Sequence, residues 1–310
     1  MGACTRNGPV VVEVDGTALG LPVVDYAASE AIRHGAKLIL VAPYEPHSSH
    51  GPITEGYGPW PPADLADEAL RAAVAHVRQL YGHGLALKSV SQEGSQLKVL
   101  SQAARDACLL VVGRTRARGP QRLVAAQGNI FLAARTGCPV VVVPNTWKPT
   151  AMDRKVAVGI DGRQLSRSAV EFAFRTAADR EAGLTVLQAQ EASRSDHQGN
   201  GVRNSRARWA DLLVAETLAG WIDKYPDLPV TRSLTARPVV EALVHEGAEA
   251  GLVVLGARAG LLPADDPVAR RAVAAMSCPV AIVPHRVTAA KRNQRARRLR
   301  PATDIVVTAY

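Results

Sequence analysis

Val10-Val11-Val12-Glu13-Val14-Asp15-Gly16-Thr17 returns as Val156-Ala157-Val158-Gly159-Ile160-Asp161-Gly162-Arg163, and this recurrence decides the fold. Cys138-Pro139-Val140-Val141-Val142-Val143-Pro144 likewise returns as Cys278-Pro279-Val280-Ala281-Ile282-Val283-Pro284. Between them, Leu109-Leu110-Val111-Val112-Gly113 is matched by Leu252-Val253-Val254-Leu255-Gly256. The offset falls only from 146 to 143 to 140 residues across the three pairs. Drift that small means duplication with short deletions in loops, and a repeat this long is a whole domain rather than a solenoid element. The places where the copies differ therefore carry most of the information.

At 310 residues the chain suits two domains, each large enough to bury a core without staples. Its four cysteines, Cys4, Cys108, Cys138 and Cys278, show no paired spacing. They read as small core residues of a reduced protein rather than a disulfide frame or zinc site. No apolar run reaches the ~18 residues of a membrane span. The start, Met1-Gly2-Ala3-Cys4-Thr5-Arg6, lacks a signal-peptide core and has Arg6 where myristoylation requires Ser or Thr. The expectation is a soluble, cytoplasmic protein with no membrane partner. Residues 286–300 hold seven basic groups and no acid, and removing them lowers the formal charge from +9 to +2. With no aromatic interleaved for base stacking, residues 287–310 read as a disordered basic tail. Nucleic acid is expected only as a non-specific partner of that tail.

Both copies alternate strand and helix. In the first, Val10–Val14, Leu38–Val41, Leu109–Val112 and Val140–Val143 are apolar strands, and Leu85–Val90 is a more polar one. Helical spacing marks Leu21–His34, Ala66–Tyr81 behind an Asp64 cap, Gln96–Ala107 and Val124–Arg135. The second copy repeats the order, with helices near Ser168–Arg180, Ala207–Lys224 and Val239–Ala250. Strands apolar on both faces, each followed by a helix, specify a parallel sheet covered on both sides. The fold class is α/β: two tandem doubly wound five-stranded Rossmann-like sheets of strand order 3-2-1-4-5, the polar strand at an edge. Ligands of such sheets sit beyond the carboxyl ends of the strands at the switch point. That crevice is bounded by Asp15 and Gly113 in copy one and by Asp161 and Gly256 in copy two.

The Asp-Gly-Thr turn, the Leu-Val-Val-Gly fourth strand and the Cys-Pro-Val-Val-Val-Val-Pro fifth strand together resemble the universal stress protein family. The resemblance covers residues 9–145 and 154–285. It implies a tandem, two-domain member (1–148 and 149–286) whose halves pair through their fifth strands as an intramolecular pseudo-dimer. It also implies a regulatory or protective protein, with a homodimer or a regulatory protein as expected partner, and one branch of the family binds ATP.

That branch carries G-x2-G-x9-G-[ST] after strand 4. Its glycines let backbone approach phosphate, and its last pair opens a helix with free N–H groups. Copy one starts correctly at Gly113, but Arg116 replaces the second glycine, Ala126-Gln127 replaces Gly-Ser/Thr, and Gly128-Asn129 comes two residues late. Copy two keeps Gly256, replaces the second glycine by Ala259 beside Gly260, and puts Asp266-Pro267 at the phosphate pair. Neither motif is intact. Copy one surrounds its crevice with Arg114, Arg116, Arg118 and Arg122, which could hold phosphate by charge. Copy two places two carboxylates there, which repel phosphate. The candidate nucleotide site is therefore Asp15, Gly16, Thr17, Val41, Gly113, Arg114, Arg116, Gly119, Gln127, Gly128 and Asn129, with ATP the one cofactor it could take. Its degenerate equivalent is Asp161, Gly162, Leu187, Gly256 and Gly260. The arginines also read as a solvated helix approach, and Asp15 and Asp161 as turn caps.

His47-Ser48-Ser49-His50 in a long loop is a poor metal cage. No Gly-x-Ser-x-Gly elbow and no Walker loop occurs. Gln92-Glu93-Gly94 and Pro144-Asn145 stand where a phospho-receiver needs its Asp and Lys. The sequence thus reads as a non-catalytic stress-response regulator or small-molecule binder with degenerate ATP motifs. The alternative is a true ATP-binding protein or slow ATPase using the first crevice.

Overall fold

The computed structural model describes residues 8–15, 20–44, 63–114, 121–152, 154–160, 167–189, 215, 218–235, 237–257 and 267–284. The first half runs β1 (Val10–Glu13), α1 (Leu21–Arg33), β2 (Leu38–Tyr44), α2 (Ala63–Tyr81), β3 (Leu87–Glu93), α3 (Gln96–Ala103), β4 (Leu109–Gly113), α4 (Gln121–Thr136) and β5 (Val140–Val143). A 3-10 turn at Pro149–Ala151 leads into β6 (Val156–Ile160), α5 (Arg167–Asp179), β7 (Leu184–Ala189), β8 (Val230–Thr235), α6 (Val239–Gly247), β9 (Leu252–Ala257), α7 (Pro267–Ala275) and β10 (Val280–Pro284). Residues 218–224 are also helical, within the stretch expected to form a helix before β8.

The ten strands of the described residues form one sheet of order β3-β2-β1-β4-β5-β10-β9-β6-β7-β8. Within each half the pairings are parallel, and the order is 3-2-1-4-5 read inward from either edge. The halves join through antiparallel β5 and β10, with Val142 opposite Val280, Val141 opposite Ala281 and Val140 opposite Ile282. This is the pseudo-dimer that the resemblance implied. It gives two all-apolar strands a partner that an exposed edge would lack. The half-exposed strands β3 and β8 take the outer edges instead. Alternate β1 residues feed two cores: Val10 and Val12 enter the one under α1, α2 and α5, and Val11 the one under α3, α4, α6 and α7. Among the described residues, no helix is long and apolar enough to cross a membrane.

Several boundaries differ from the sequence reading. α2 begins at Ala63, so Asp64 lies in its first turn, where a carboxylate complements the helix dipole, rather than at the cap. Pro43 and Tyr44 belong to β2, not to a loop, because parallel pairing with Gln92 and Glu93 carries on past the apolar run. α3 ends at Ala103, four residues early. Both α1 and α5 close in the same way. Ala36 N–H bonds Ala31 O and Gly35 N–H bonds Ile32 O, while Ala182 N–H bonds Ala177 O and Glu181 N–H bonds Ala178 O. These are Schellman turns, which need a left-handed residue; Gly35 supplies it at φ +57° and Glu181 at φ +51°.

The linker is packed rather than slack. Trp147 is buried and meets Tyr26 of α1 edge-to-face, with ring centroids 5.2 Å apart. Arg180, at the end of α5, donates from Nη2 to Tyr26 Oη at 2.7 Å and to Glu30 Oε1 at 2.5 Å. Its Nη1 reaches Met152 O at 3.4 Å. On the opposite face, α4 packs against α7.

Candidate functional site

β1 and β4 are neighbours, with Val12 opposite Val111, so Asp15 and Gly113 leave the sheet side by side at the switch point. Asp15 lies over the start of α1. A Cβ on Gly20, the residue that opens the helix, would collide with Asp15 Oδ1. Glycine at that position is therefore what lets the carboxylate sit down on the helix end. Gly113 also faces α1, and a Cβ there would stand 3.4 Å from Val23 Cγ2.

The remaining candidates divide clearly. Val41 is buried in the core, and its carbonyl accepts the Val14 N–H at 2.9 Å; Leu187, its counterpart, is buried too. Both side chains belong to the hydrophobic core. Gly256 is half-buried at the end of β9, opposite Val283. Gly16, Thr17, Arg116, Gly119, Asp161, Gly162 and Gly260 lie outside the described residues, as do Arg118, Asp266, the His47–His50 loop and the basic tail.

For two groups of candidates the structure shows the local geometry. Gln127, Gly128 and Asn129 were assigned to the phosphate-binding helix start, but α4 begins at Gln121. They stand in its second turn, where backbone N–H groups bond the carbonyls four residues back and are not free for an anion. With no glycine at position 126 to start a helix there, the good helix formers Gln121 to Ala126 extend α4 backwards. Arg114 was assigned to phosphate by charge. Its Nη1 crosses the domain junction and donates to Met276 O, just past the last turn of α7. Helix C-termini hold unsatisfied carbonyls and favour a cation, so Arg114 acts as a tie between halves.

Sequence reasoning overlooked Glu13. It is the last residue of β1, opposite Val41, and only 8 % exposed. Gln96, in the first turn of α3, donates from Nε2 to Glu13 Oε1 at 2.5 Å. Burial pushes this carboxyl up to about 7; the Gln96 bond opposes the shift and nearby Asp15 adds to it. The signal was present in the first line read, since Glu13 is the one charged residue inside an apolar strand and its counterpart is Gly159.

The family model for the universal stress protein family matches residues 7–144 and again 152–284. The chain belongs to the universal stress protein family. A universal stress protein of Mycobacterium tuberculosis is 28% identical over 265 residues, covering 81% of this chain and 88% of the relative. A second one from that species is 28% identical over 259 residues, covering 80% and 86%. A universal stress protein structure from Archaeoglobus fulgidus superposes with a TM-score of 0.64 at 14% identity, covering 91% of this chain and 98% of that one. Both family matches end where β5 and β10 end, so the duplicated unit of the sequence is one universal stress protein domain.

Within this family frame the two crevices differ in chemistry. Domain 2 has Gly159 in the place of Glu13, and a Cβ there would lie 3.0 Å from Leu243 Cδ2 and 3.1 Å from Leu255 Cδ2. Leu243 and Leu255 thus pack directly against the position that carries a buried carboxyl in domain 1. Val239, not a polar residue, opens α6 where Gln96 opens α3.

Proposed function

We propose that this universal stress protein is a non-catalytic, stress-response regulator that binds a nucleotide in the crevice of domain 1 and not in that of domain 2. The observation that supports this reading is the convergence of Glu13, Asp15 and Gln96 at the carboxyl end of β1, beside Gly20 and Gly113. At the equivalent of Glu13 in domain 2, Gly159, the nearest side chains are Leu243 and Leu255. Buried polar groups destabilise a fold unless they are satisfied, and the leucine-filled copy shows that the architecture does not need them there. Asp15 is placed for a ribose or base edge. The backbone N–H groups of Gly128 and Asn129 lie within α4 and are not free for phosphate. Catalysis is no part of the reading, because the sequence carries neither a Walker loop nor a nucleophile elbow.

Calorimetric titration with ATP tests it, using the wild type, Asp15→Ala and Asp161→Ala. Binding that weakens about tenfold or more in the first variant and survives in the second supports domain 1. Absence of binding to the wild type, or loss confined to Asp161→Ala, overturns the reading.

A further inference from the structure

The two helical layers that cover the sheet differ in charge. On one face α3 and α4 of domain 1 lie beside α7 of domain 2, with α4 packed on α7 across the boundary. These three helices carry Lys98, Arg122, Arg135, Arg270 and Arg271 and no acid. Arg135, Ala134, Arg271 and Ala275 are exposed, and Phe131 is half-buried with the Arg135 guanidinium 5.9 Å from its ring centroid. The duplication makes Arg271 the counterpart of Phe131 and Ala275 the counterpart of Arg135. Each helix thus gives this face one arginine and one apolar residue at equivalent positions.

The other face carries the complement. α2 opens with Asp64, Leu65, Asp67 and Glu68, all exposed, and Leu65 at 51 % is a large apolar side chain left in water. Helical spacing sets Asp64, Leu65, Glu68, Ala72 and Ala75 on one outward stripe. Its carboxylates suit guanidinium groups, and its alanines let a second helix approach closely. Among the described residues, Asp64, Glu68, Arg135 and Arg271 take part in no ion pair.

We propose that the α4–α7 face is a docking surface for a second copy of this chain, which seats the outward stripe of its α2 there. The carboxylates of Asp64 and Glu68 meet Arg135 and Arg271, and Leu65 meets Phe131. α2 buries its inner side in one core, whereas α4 and α7 bury theirs in the other, so the two patches lie on opposite faces of the sheet. One neighbour cannot engage both. Association is therefore head-to-tail and open rather than closed at two copies. Exposed ion pairs are individually weak and are screened by salt, which makes the contact salt-sensitive. The inference is independent of nucleotide binding.

Sedimentation equilibrium of the full chain tests it, at low salt and from about 1 to 100 μM. The average mass of the wild type should climb with concentration past two chains and fall back toward one chain in about 0.5 M salt. Arg135→Glu with Arg271→Glu, and separately Asp64→Lys with Glu68→Lys, should each weaken association about tenfold or more. Mixed in equal amounts, the two double variants should associate again, since each restores the opposite charge that the other lacks; recovery also shows that both are folded. A wild type that stays single or levels off at two chains overturns the proposal, and this comparison needs no variant. Association unmoved by either reversal, or no recovery on mixing, overturns it too.

Discussion

Arg180 Nη2 lies 2.5 Å from Glu30 Oε1, both side chains buried, although one residue closes α5 of domain 2 and the other belongs to α1 of domain 1. The duplication makes Arg180 the counterpart of His34, and Glu30 the counterpart of Thr176. The two halves therefore meet at equivalent positions filled with complementary, not identical, groups. His34 Nε2 is itself 3.2 Å from Glu30 Oε2 and its Nδ1 is 3.8 Å from Asp179 Oδ2, while Arg33 donates to Asp179 O at 2.9 Å. Such a junction favours domain 1 against domain 2 over either half against its own copy.

Removing one partner of this pair leaves the other as an uncompensated buried charge. Arg180→Ala or Glu30→Ala should each cost about 3–5 kcal/mol in denaturant unfolding. Arg180→Met combined with Glu30→Leu should cost clearly less than the two single changes added together. Additive effects would show that the ion pair is not a unit.

The two buried carboxyls have opposite pH signatures. Burial alone would raise Glu30, but Arg180 and then His34 outweigh it and hold the carboxyl at about 2. The stability that Glu30 contributes is thus present above its ordinary value of 4.5 and lost as pH falls from there toward 2. Glu13, raised to about 7, contributes stability that is complete below 4.5 and is lost as pH rises to about 7. Unfolding free energy followed from pH 4.5 to 8 should decline in the wild type and decline less in Glu13→Gln. Parallel profiles would contradict the buried protonated state of Glu13.

Glu181 sits at φ +51° in the turn that Gly35 makes at φ +57°. A side chain in this conformation is strained by about 1 kcal/mol relative to glycine. Glu181→Gly should therefore raise stability slightly, whereas Gly35→Ala should lower it by a similar amount. Thermal melting of both variants checks the pair, and a destabilised Glu181→Gly would mean that its side chain holds the junction.

Gly251 is a sterner test of the linker. A Cβ there would overlap the carbonyl oxygen of Ala151 and lie 3.2 Å from that of Met152 and 3.1 Å from that of Arg154. These are backbone atoms that cannot swing aside, so Gly251→Ala should cost about 2 kcal/mol or more. Gly20→Ala meets only the Asp15 carboxylate. It should leave unfolding nearly unchanged while weakening nucleotide binding. An unfolding loss as large as that of Gly251→Ala would place Asp15 in the fold rather than in the site.

The strands were legible because they are apolar on both faces: Val10 to Val12 and Val140 to Val143 have no alternative but a covered parallel sheet. Half-polar β3 declared its edge position in the same way. The first turn of α4 was not legible. A motif count from Cys138 fixes alignment, but where a helix starts depends on the propensity of the residues before it. Arg114 could be placed at the end of β4 but not followed across the junction, because its partner, Met276, is 162 residues away. The Arg180 and Glu30 pair was hidden for the same reason, each reading alone as an ordinary charge at the end of an amphipathic helix. Glu13 was visible and passed over, since its meaning comes only from comparing it with Gly159 and locating Gln96 beside it.

The central claim is that a nucleotide occupies the crevice of domain 1 and not that of domain 2. Photo-crosslinking with azido-ATP, followed by peptide mapping, tests it most directly because it reads the site without a variant. The account predicts label, competed by ATP, on peptides from the carboxyl ends of β1, β2 and β4, including those that hold Glu13, Asp15 and Gly113. Competed label on peptides from the ends of β6 and β9, around Ile160 and Gly256, or label shared equally between the halves, would contradict it.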